Sequence, residues 1–361
     1  MRSTGKHAAL RSAISRRSFL GACALGAASL LAGCKAAPEE SSDAGSAMEM
    51  PVESDSQSDQ DFEQISTTLF AFDTVVTITA SCSQEALDAA AQRCEYFESI
   101  FSRTIETSDI GRINAAHGEP VRVAPETADI VSKALRYCEE SNGLFDISIG
   151  AVSTLWDFKE GIVPDSAELE EAVKHVDYTC IQVDDDTITL TDPDAKLDLG
   201  GIAKGYIADD LCRLLADMGC ASGFVNLGGN VKTIGRKPNG KPWHVGVQDP
   251  NDVAGTVVAA VYSEGTSIVT SGLYERQFEK DGQRYWHILD PTTGYPVETD
   301  LVSVSIVSQD SIDGDGYATS LFMMGHDAAL EWINAQEGLE GLVVDAQGAI
   351  TQSDGCDAEL M

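Results

Sequence analysis

The fold of this 361-residue chain turns on Asp198-Leu199-Gly200-Gly201-Ile202-Ala203-Lys204-Gly205. Before it, Ala195 to Leu199 reads as a strand. After it, Ala203 to Met218 reads as an amphipathic helix with Ile207, Leu211, Leu214 and Met218 inward and Gly219 as its stop. Glycines at a strand-to-helix turn let backbone groups approach a ligand closely. Asp198 and Lys204 place opposite charges at the two edges of that opening. The spacing is neither a Walker A loop nor the dinucleotide G-x-G-x-x-G. A tight connection would satisfy such glycines equally well, so the weight of the stretch comes from its neighbours.

Working outward toward the N-terminus, Ser15-Arg16-Arg17-Ser18-Phe19-Leu20 is a twin-arginine pattern followed by an apolar run to Gly33. The run is short for a membrane span and ends in Leu31-Ala32-Gly33-Cys34, a lipobox. Residues 1–33 are therefore expected to be a signal peptide, cleaved before a lipid-bearing Cys34. Such a protein is exported already folded and is anchored on the extracytoplasmic face of a membrane; an uncleaved anchor is the alternative. Residues 34–65 are rich in Ser, Asp and Glu and cannot bury enough apolar surface to offset chain ordering, so they read as a disordered acidic tether. From Ser66 to Met361 there is no second linker and no internal repeat, which favours one folded domain, 66–361.

The formal net charge is −34, and removal of residues 1–33 leaves 19 basic against 58 acidic residues. That excludes nucleic acid and anionic lipid headgroups as partners of the folded part. A phosphorylated ligand would need a metal ion or a local cation to bind. Nine cysteines are present, of which Cys23 falls in the signal and Cys34 at the lipobox. The other seven form no C-x-x-C or Cys/His metal pattern, and Cys94 and Cys138 sit on apolar helix stripes.

The remaining periodicities are mixed. Leu69–Ala80 reads as one strand, Glu85–Phe101 as a helix, and Pro125 opens another helix. Strands are expected at Ile181–Val183, Ile188–Thr191, Phe224–Leu227, His244–Val247, Val257–Tyr262, Ser267–Thr270 and Val302–Val307. Asp281-Gly282 between Gln277–Lys280 and Gln283–Ile288 predicts a hairpin, and a helix is expected from about Asp315 to Met324. Strands and helices interleave without strict βαβ alternation, so the class is α+β.

Three further clusters follow the glycine stretch. Asn226-Leu227-Gly228-Gly229-Asn230 ends a strand in a second glycine turn. His287-Ile288-Leu289-Asp290-Pro291-Thr292-Thr293-Gly294-Tyr295-Pro296 presents a histidine and a carboxylate at a strand end. Asp313-Gly314-Asp315-Gly316-Tyr317-Ala318-Thr319 places Asp315 and Thr319 one helical turn apart. A carboxylate, a hydroxyl and a loop carbonyl make an all-oxygen set suited to Mg²⁺. Asp315 as an ordinary helix N-cap is the competing reading.

Taken in order, DLGGIAKG, NLGGN, SGLYERQF, HILDPTTGYP and DGYATS resemble the motifs of the ApbE family of FAD:protein FMN transferases. Phe145-Asp146-Ile147-Ser148 with Leu155-Trp156-Asp157-Phe158 is similar to a further family segment. The resemblance runs from about Phe70 to about Met324. It implies a single α+β domain of mainly antiparallel strands with flanking helices. It also implies a reaction in which FAD is split at its pyrophosphate, FMN passes to a threonine or serine hydroxyl of an acceptor protein, and AMP leaves. The acceptor implied is a membrane or extracytoplasmic redox protein with a short threonine-bearing motif. Carried over residue by residue, the metal ligands fall on Gly201, Asp315 and Thr319. FAD contacts fall on Phe72, Leu144, Phe145, Asp146, Asp198, Lys204 and Leu289, and a further flavin- or adenine-side position on Thr104.

Two positions depart from the family pattern. Phe72-Asp73-Thr74 stands where Met-Gly-Thr is usual, and Thr104 stands where an aromatic residue is common. For chemistry, Lys204 is the cation beside the phosphates, and His287 is the candidate general base with Asp290 orienting it or sharing the role. His287 capping a strand and Asp290 starting a turn is the structural alternative. Tyr274-Glu275-Arg276 fits either an ion pair or the flavin site. Trp156, Trp243 and Trp286 are expected in the core rather than on a ligand. Three other functions remain open: an FAD pyrophosphatase using water as nucleophile, a flavin-binding lipoprotein without chemistry, and a solute-binding lipoprotein.

Overall fold

The structure, a computed structural model, describes residues 63–250 and 256–361. The expectations for the signal peptide, for Cys34 and for nearly all of the tether lie outside those residues. Among the described residues regular structure starts at Gln64, so the last residues assigned to the tether belong to the first strand.

The centre of the fold is an eight-stranded sheet. Its spatial order is Gln64–Ala71, Thr74–Ser81, Gly223–Leu227, Asn230–Ile234, Ser267–Gly272, Leu301–Ser308, Leu339–Asp345 and Ile350–Gln352. Every adjacent pair is antiparallel. Two three-stranded sheets, one two-stranded hairpin and eight α-helices complete the described residues, so the class is α+β. Alternation puts one face of each strand inward: Val76, Ile78 and Ala80 are fully buried and pack with Leu87, Phe97, Ile207, Leu211 and Val225 in the largest core. A second core gathers Val304, Ile306, Leu321, Phe322, Ile333 and Val343. Sequence patterning assigns no element beyond Met324, yet the helix His326–Asn334 and the strand Leu339–Asp345 close this core.

Several elements differ from expectation in ways that matter for the site. Leu69–Ala80 is two strands joined at Phe72-Asp73, both at positive φ (56° and 58°). Two such residues form the hairpin turn whose twist matches its strands, a conformation that normally selects Gly or Asn. With Phe and Asp there, the turn leaves no trace in the sequence. Ala195–Leu199 is not a strand, because only Lys196 bridges a neighbour, Ile149. The side chain of Asn114 replaces the missing strand: Leu197 N–H donates to Asn114 Oδ1 at 2.6 Å, and Asn114 Nδ2 donates to the Leu197 carbonyl at 2.9 Å.

The helix after the glycine stretch spans Ala203–Asp217. Its inner face is Ile207, Leu211 and Leu215 flanked by Ala208 and Cys212, with Met218 37% exposed. The buried stripe therefore follows the i, i+4, i+8 line and leaves Met218 off it. The helix carrying Asp315 begins at Ser311, four residues earlier than expected. Asp315 lies in its second turn and is not its N-cap. The seven cysteines are free thiols, six of them buried. Burial pushes Cys94, Cys138 and Cys212 up to about 12, which keeps them protonated and unreactive.

Candidate active site

The glycine loop is shaped by its own first residue. Asp198 Oδ1 accepts the Gly200 N–H at 2.9 Å. Its Oδ2 accepts the Ser153 hydroxyl at 2.6 Å and faces Arg103 Nε at 3.0 Å. Next comes Gly201, where an added Cβ would lie 3.1 Å from the Phe145 ring and 3.8 Å from Thr319 Oγ1. Gly201, buried Phe145 and Thr319 are therefore neighbours, although they are far apart in sequence.

One residue past Lys204 the two helices come into backbone contact. A Cβ on Gly205 would sit 2.4 Å from the Ser311 carbonyl oxygen and 2.8 Å from Asp315 Cβ, so only glycine permits this approach. The contact is used: Gly205 N–H donates to Asp315 Oδ2 at 2.9 Å, and Lys204 Nζ lies 3.4 Å from Asp315 Oδ1. Asp315 is 2% exposed. Burial opposes the charge on Lys204, but the carboxylates of Asp315 and Glu275 outweigh it and raise its pKa. The loop helix and the Asp315 helix are thus locked at the residues that carry the charges.

Asp315, Thr319 and Gly201 supply one carboxylate, one hydroxyl and one carbonyl. This all-oxygen set, with a single anionic ligand and an ammonium alongside, fits a magnesium-sized cation that completes its shell with phosphate and water.

The second half of the site comes from the hairpin Gln277–Lys280/Gln283–Trp286, which forms over Asp281-Gly282 (φ 54° and 80°) as its sequence predicts. It delivers His287, whose N–H donates to the Arg276 carbonyl at 3.1 Å. The imidazole has its Nδ1 buried without a partner, and its Nε2 lies 4.0 Å from Glu275 Oε2. Burial, reinforced by Arg276 and Lys204, pushes His287 down to about 4, so the ring is neutral at pH 7 with a lone pair free. Burial pushes Glu275 up to about 6, partly countered by Lys204.

The structure separates the site residues expected from sequence. Phe145, Gly201, Lys204, Asp315 and Thr319 converge, and Asp198 shapes the loop beside them. Asp290 does not reach His287: its Oδ1 accepts the Thr292 N–H and hydroxyl at 2.7 and 2.6 Å, capping its own turn. The carboxylate facing the histidine is Glu275. Both Asp146 oxygens are also taken locally, Oδ1 by Ser148 N–H and hydroxyl at 2.7 and 2.6 Å and Oδ2 by Tyr178 N–H at 3.0 Å. Leu289 is buried in a cluster with Val152, Trp156 and Leu169. Leu144 is half-buried in the turn before Phe145. Thr104 is exposed and bonded to Ser102 Oγ at 3.0 Å, while its neighbour Arg103 reaches Asp198. Phe72 is half-buried at the hairpin tip, its N–H 3.3 Å from Glu98 Oε1.

Arg103 and Ser153 carry no periodic or motif signal, and sequence reasoning missed them. Glu275 and Arg276 were visible only as an undecided pair, and they diverge: Arg276 Nη2 turns to Asp73 Oδ2 at 3.5 Å. Trp156 and Trp243 are core residues as expected, with Trp156 Nε1 bonded to the Gly294 carbonyl at 3.0 Å. Two clefts, about 290 and 430 Å³, share Asp209, Arg213 and Asp310 and touch none of Lys204, Asp315, Thr319 or His287. Donor chemistry is what marks the site here.

Residues 72–343 match the ApbE family. The chain belongs to the ApbE family. Among its ApbE relatives is an FAD:protein FMN transferase of Treponema pallidum, 33% identical over 288 residues, 75% of this chain and 80% of the relative. Another is the FAD:protein FMN transferase of Salmonella typhimurium, 31% identical over 342 residues, 92% of this chain and 94% of the relative. An ApbE protein of Thermotoga maritima of known structure superposes with a TM-score of 0.75 at 34% identity, covering 81% of this chain and 97% of that one. The flavin transferase ApbE of Vibrio cholerae gives 0.72 at 26% identity, with 81% and 97% covered. This ApbE chain is accordingly an enzyme of the transferase class.

Proposed function

We propose that this ApbE-family protein moves FMN from FAD to a threonine or serine hydroxyl of an acceptor protein and releases AMP. The observation that carries the proposal is the buried Asp315 carboxylate, fixed by the Gly205 N–H at 2.9 Å, beside Lys204 and one turn from Thr319. An all-oxygen site next to a lysine suits a cation-bound pyrophosphate, and the names of the relatives supply the nucleotide. Asp315, Thr319 and Gly201 would hold Mg²⁺. When bound, the ion would neutralise charge on the pyrophosphate oxygens as AMP leaves.

The protein's own groups divide the remaining work. Lys204 contributes a permanent positive charge beside the phosphates, which matters in a chain with net charge −34. His287, neutral in the folded protein, takes the proton of the acceptor hydroxyl as that hydroxyl's oxygen bonds to the FMN phosphorus and the bond to the AMP phosphate breaks. Glu275 faces the ring and stabilises the imidazolium that results. The Phe145 ring packs beside Gly201 and supports the loop. The acceptor is a redox protein presenting a threonine-bearing segment. The enzyme would work on the extracytoplasmic face, held through lipid on Cys34 with the acidic stretch ahead of the first strand as tether; the twin-arginine pattern and lipobox support this reading.

The test uses the chain without residues 1–34, FAD, Mg²⁺ and an acceptor domain with the family's threonine motif. Mass spectrometry should find an FMN-sized adduct on that threonine, dependent on Mg²⁺ and absent from Asp315→Ala. Free FMN and AMP without an adduct would replace the transferase by a pyrophosphatase. Bound, intact FAD would leave a flavin carrier.

A further inference from the structure

The helix Ser311–Met324 carries both side-chain ligands of the proposed cation site, yet its own N-cap residue does not cap it. The Asp310 side chain makes no bond to the first turn. The first two N–H groups are taken instead by Asp209, a residue of the other helix: Ser311 N–H donates to Oδ1 at 2.8 Å and Ile312 N–H to Oδ2 at 3.0 Å. Helix N-termini attract carboxylates through unpaired N–H groups and the helix dipole. Supplying that carboxylate from a different helix also fixes the two helices to each other.

The bracing is buried. Asp209 is 9% exposed and Lys232 is 8% exposed. The Lys232 ammonium bonds directly to Asp209 Oδ1. It also donates to the Gln309 carbonyl at 3.1 Å and lies 3.6 Å from Asp310. Spacing gives this arrangement its meaning. Asp209 is one turn beyond Gly205, and Ser311 is one turn before Asp315. Two helices are therefore joined by two rungs a turn apart, one through Asp209 to Ser311 and Ile312, the other through Gly205 and Lys204 to Asp315.

We propose that Asp209, braced by Lys232, is a positioning residue for the cation site: it sets the height and rotation of the Ser311–Met324 helix so that Asp315 and Thr319 converge on Gly201. Asp209 touches neither the ligands nor the substrate. The core contacts of Ala318, Leu321 and Phe322 hold the Asp315 helix on the sheet, but apolar packing sets its height and rotation less narrowly than hydrogen bonds do. With the Asp209 rung gone, a small shift about the Gly205 contact displaces Thr319, four residues further along, from Gly201. The proposal rests on the reading of Gly201, Asp315 and Thr319 as a divalent-cation site.

The experiment measures Mn²⁺ binding by the electron paramagnetic resonance of the free ion, with the chain lacking residues 1–34. Asp209→Asn keeps the volume and removes the charge that receives the two N–H groups. The double variant Asp209→Asn/Lys232→Met removes the ammonium that the single change would leave buried and unpaired. Both should weaken Mn²⁺ binding about 10-fold or more, in the range found when groups behind metal ligands are removed. Metal-free FAD binding, followed by flavin fluorescence, should stay within about twofold. Asp310→Asn, on a residue that caps nothing, should leave Mn²⁺ affinity unchanged. Folded variants that bind Mn²⁺ like the parent would overturn the proposal, and so would loss of the fold in both, which would make Asp209 a folding residue. If Asp315→Ala binds Mn²⁺ as well as the parent does, the cation reading itself fails, and the inference goes with it.

Discussion

The two halves of the site are built to different tolerances. On one side, Gly205, Asp315 and Asp209 sit where two helices are in backbone contact, with Lys232 reaching in from the strand Asn230–Ile234; their hydrogen bonds run 2.8–3.1 Å, and Lys204 lies 3.4 Å from Asp315. On the other side, His287, Glu275, Arg276 and Asp73 meet at 3.5–4.0 Å on a hairpin and a turn, and Asp73 and Arg276 are about half exposed. Interiors packed to crystal density hold a charge in one place, while partly solvated charges 4 Å apart adjust to what arrives. The contrast teaches that the Asp315 half is preorganised whereas the His287 half has room to close; under the function proposed above, the first would face the pyrophosphate and the second the acceptor hydroxyl.

The sharpest way to break this comparison is at its rigid end. Asp315→Ala removes the single carboxylate of the oxygen set, and transfer of FMN to the acceptor should fall by about 1,000-fold or more, the several kcal/mol that a metal centre contributes. A loss below tenfold in a steady-state assay at saturating Mg²⁺ would show that the preorganised half is not where the chemistry is held.

At the adjustable end, His287→Gln should lower kcat by about 100- to 1,000-fold with little change in the KM for FAD. The acid limb of the pH–rate profile tests the same residue. A histidine pushed down to about 4 stays neutral through pH 5 to 6, so activity should persist there. Arg276→Gln removes one of the cations that hold the value down, and should move that limb to higher pH. An unmoved limb would separate Arg276 from the base.

Stability gives a smaller and more specific signal. Glu275 is raised to about 6 from its ordinary 4.5, so the folded state binds its proton more tightly than the unfolded chain does. Its favourable contribution is complete below pH 4.5 and is lost as pH rises through about 6. His287 runs the other way: its pKa falls from 6.5 to about 4 on folding, so its contribution is complete above pH 6.5 and is lost as pH falls through about 4. Glu275→Gln should therefore raise thermal stability at pH 7.5 relative to pH 4.5 by about 1 kcal/mol, reduced for the quarter of the side chain that water reaches. Equal changes at the two pH values would mean that the carboxylate is ordinarily solvated.

The smallest effect belongs to Asp73. Its contacts with Arg276 and Lys159, at 3.5 and 3.7 Å, are exposed ion pairs, and Asp73→Asn should cost less than about 1 kcal/mol in a denaturant titration. A larger loss would make the hairpin tip part of the rigid half.

Much of the fold was legible because its cues are local. Asp281-Gly282 has the residues that a two-residue turn demands, Pro125 marks a helix start, and the Leu87, Ala90, Cys94, Phe97 and Phe101 stripe is wholly buried. Asp315 and Thr319 share a helix face by spacing alone. Where a local cue was absent the reading failed. Phe72-Asp73 turns a hairpin with residues that do not advertise it, and Ala195–Leu199 looks like a strand because an extended backbone satisfied by the Asn114 side chain has a strand's sequence. Asp290 lies near His287 in the chain, but its own turn offers nearer N–H and hydroxyl donors, and these win.

The sequence by itself determined the α+β class, the family motifs, the strongly acidic charge, and the helix that carries Asp315 and Thr319. Each rests on composition or on spacings within one or two helical turns, where chain geometry leaves few alternatives. Only the tertiary structure decided that Glu275 rather than Asp290 faces the histidine, that Gly205 is a helix contact, and that Asp209 caps a helix about a hundred residues away in the chain. Those choices depend on which groups meet when distant segments pack. A buried carboxylate takes whichever N–H groups the packing brings to it, because leaving either unpaired costs roughly 1–3 kcal/mol.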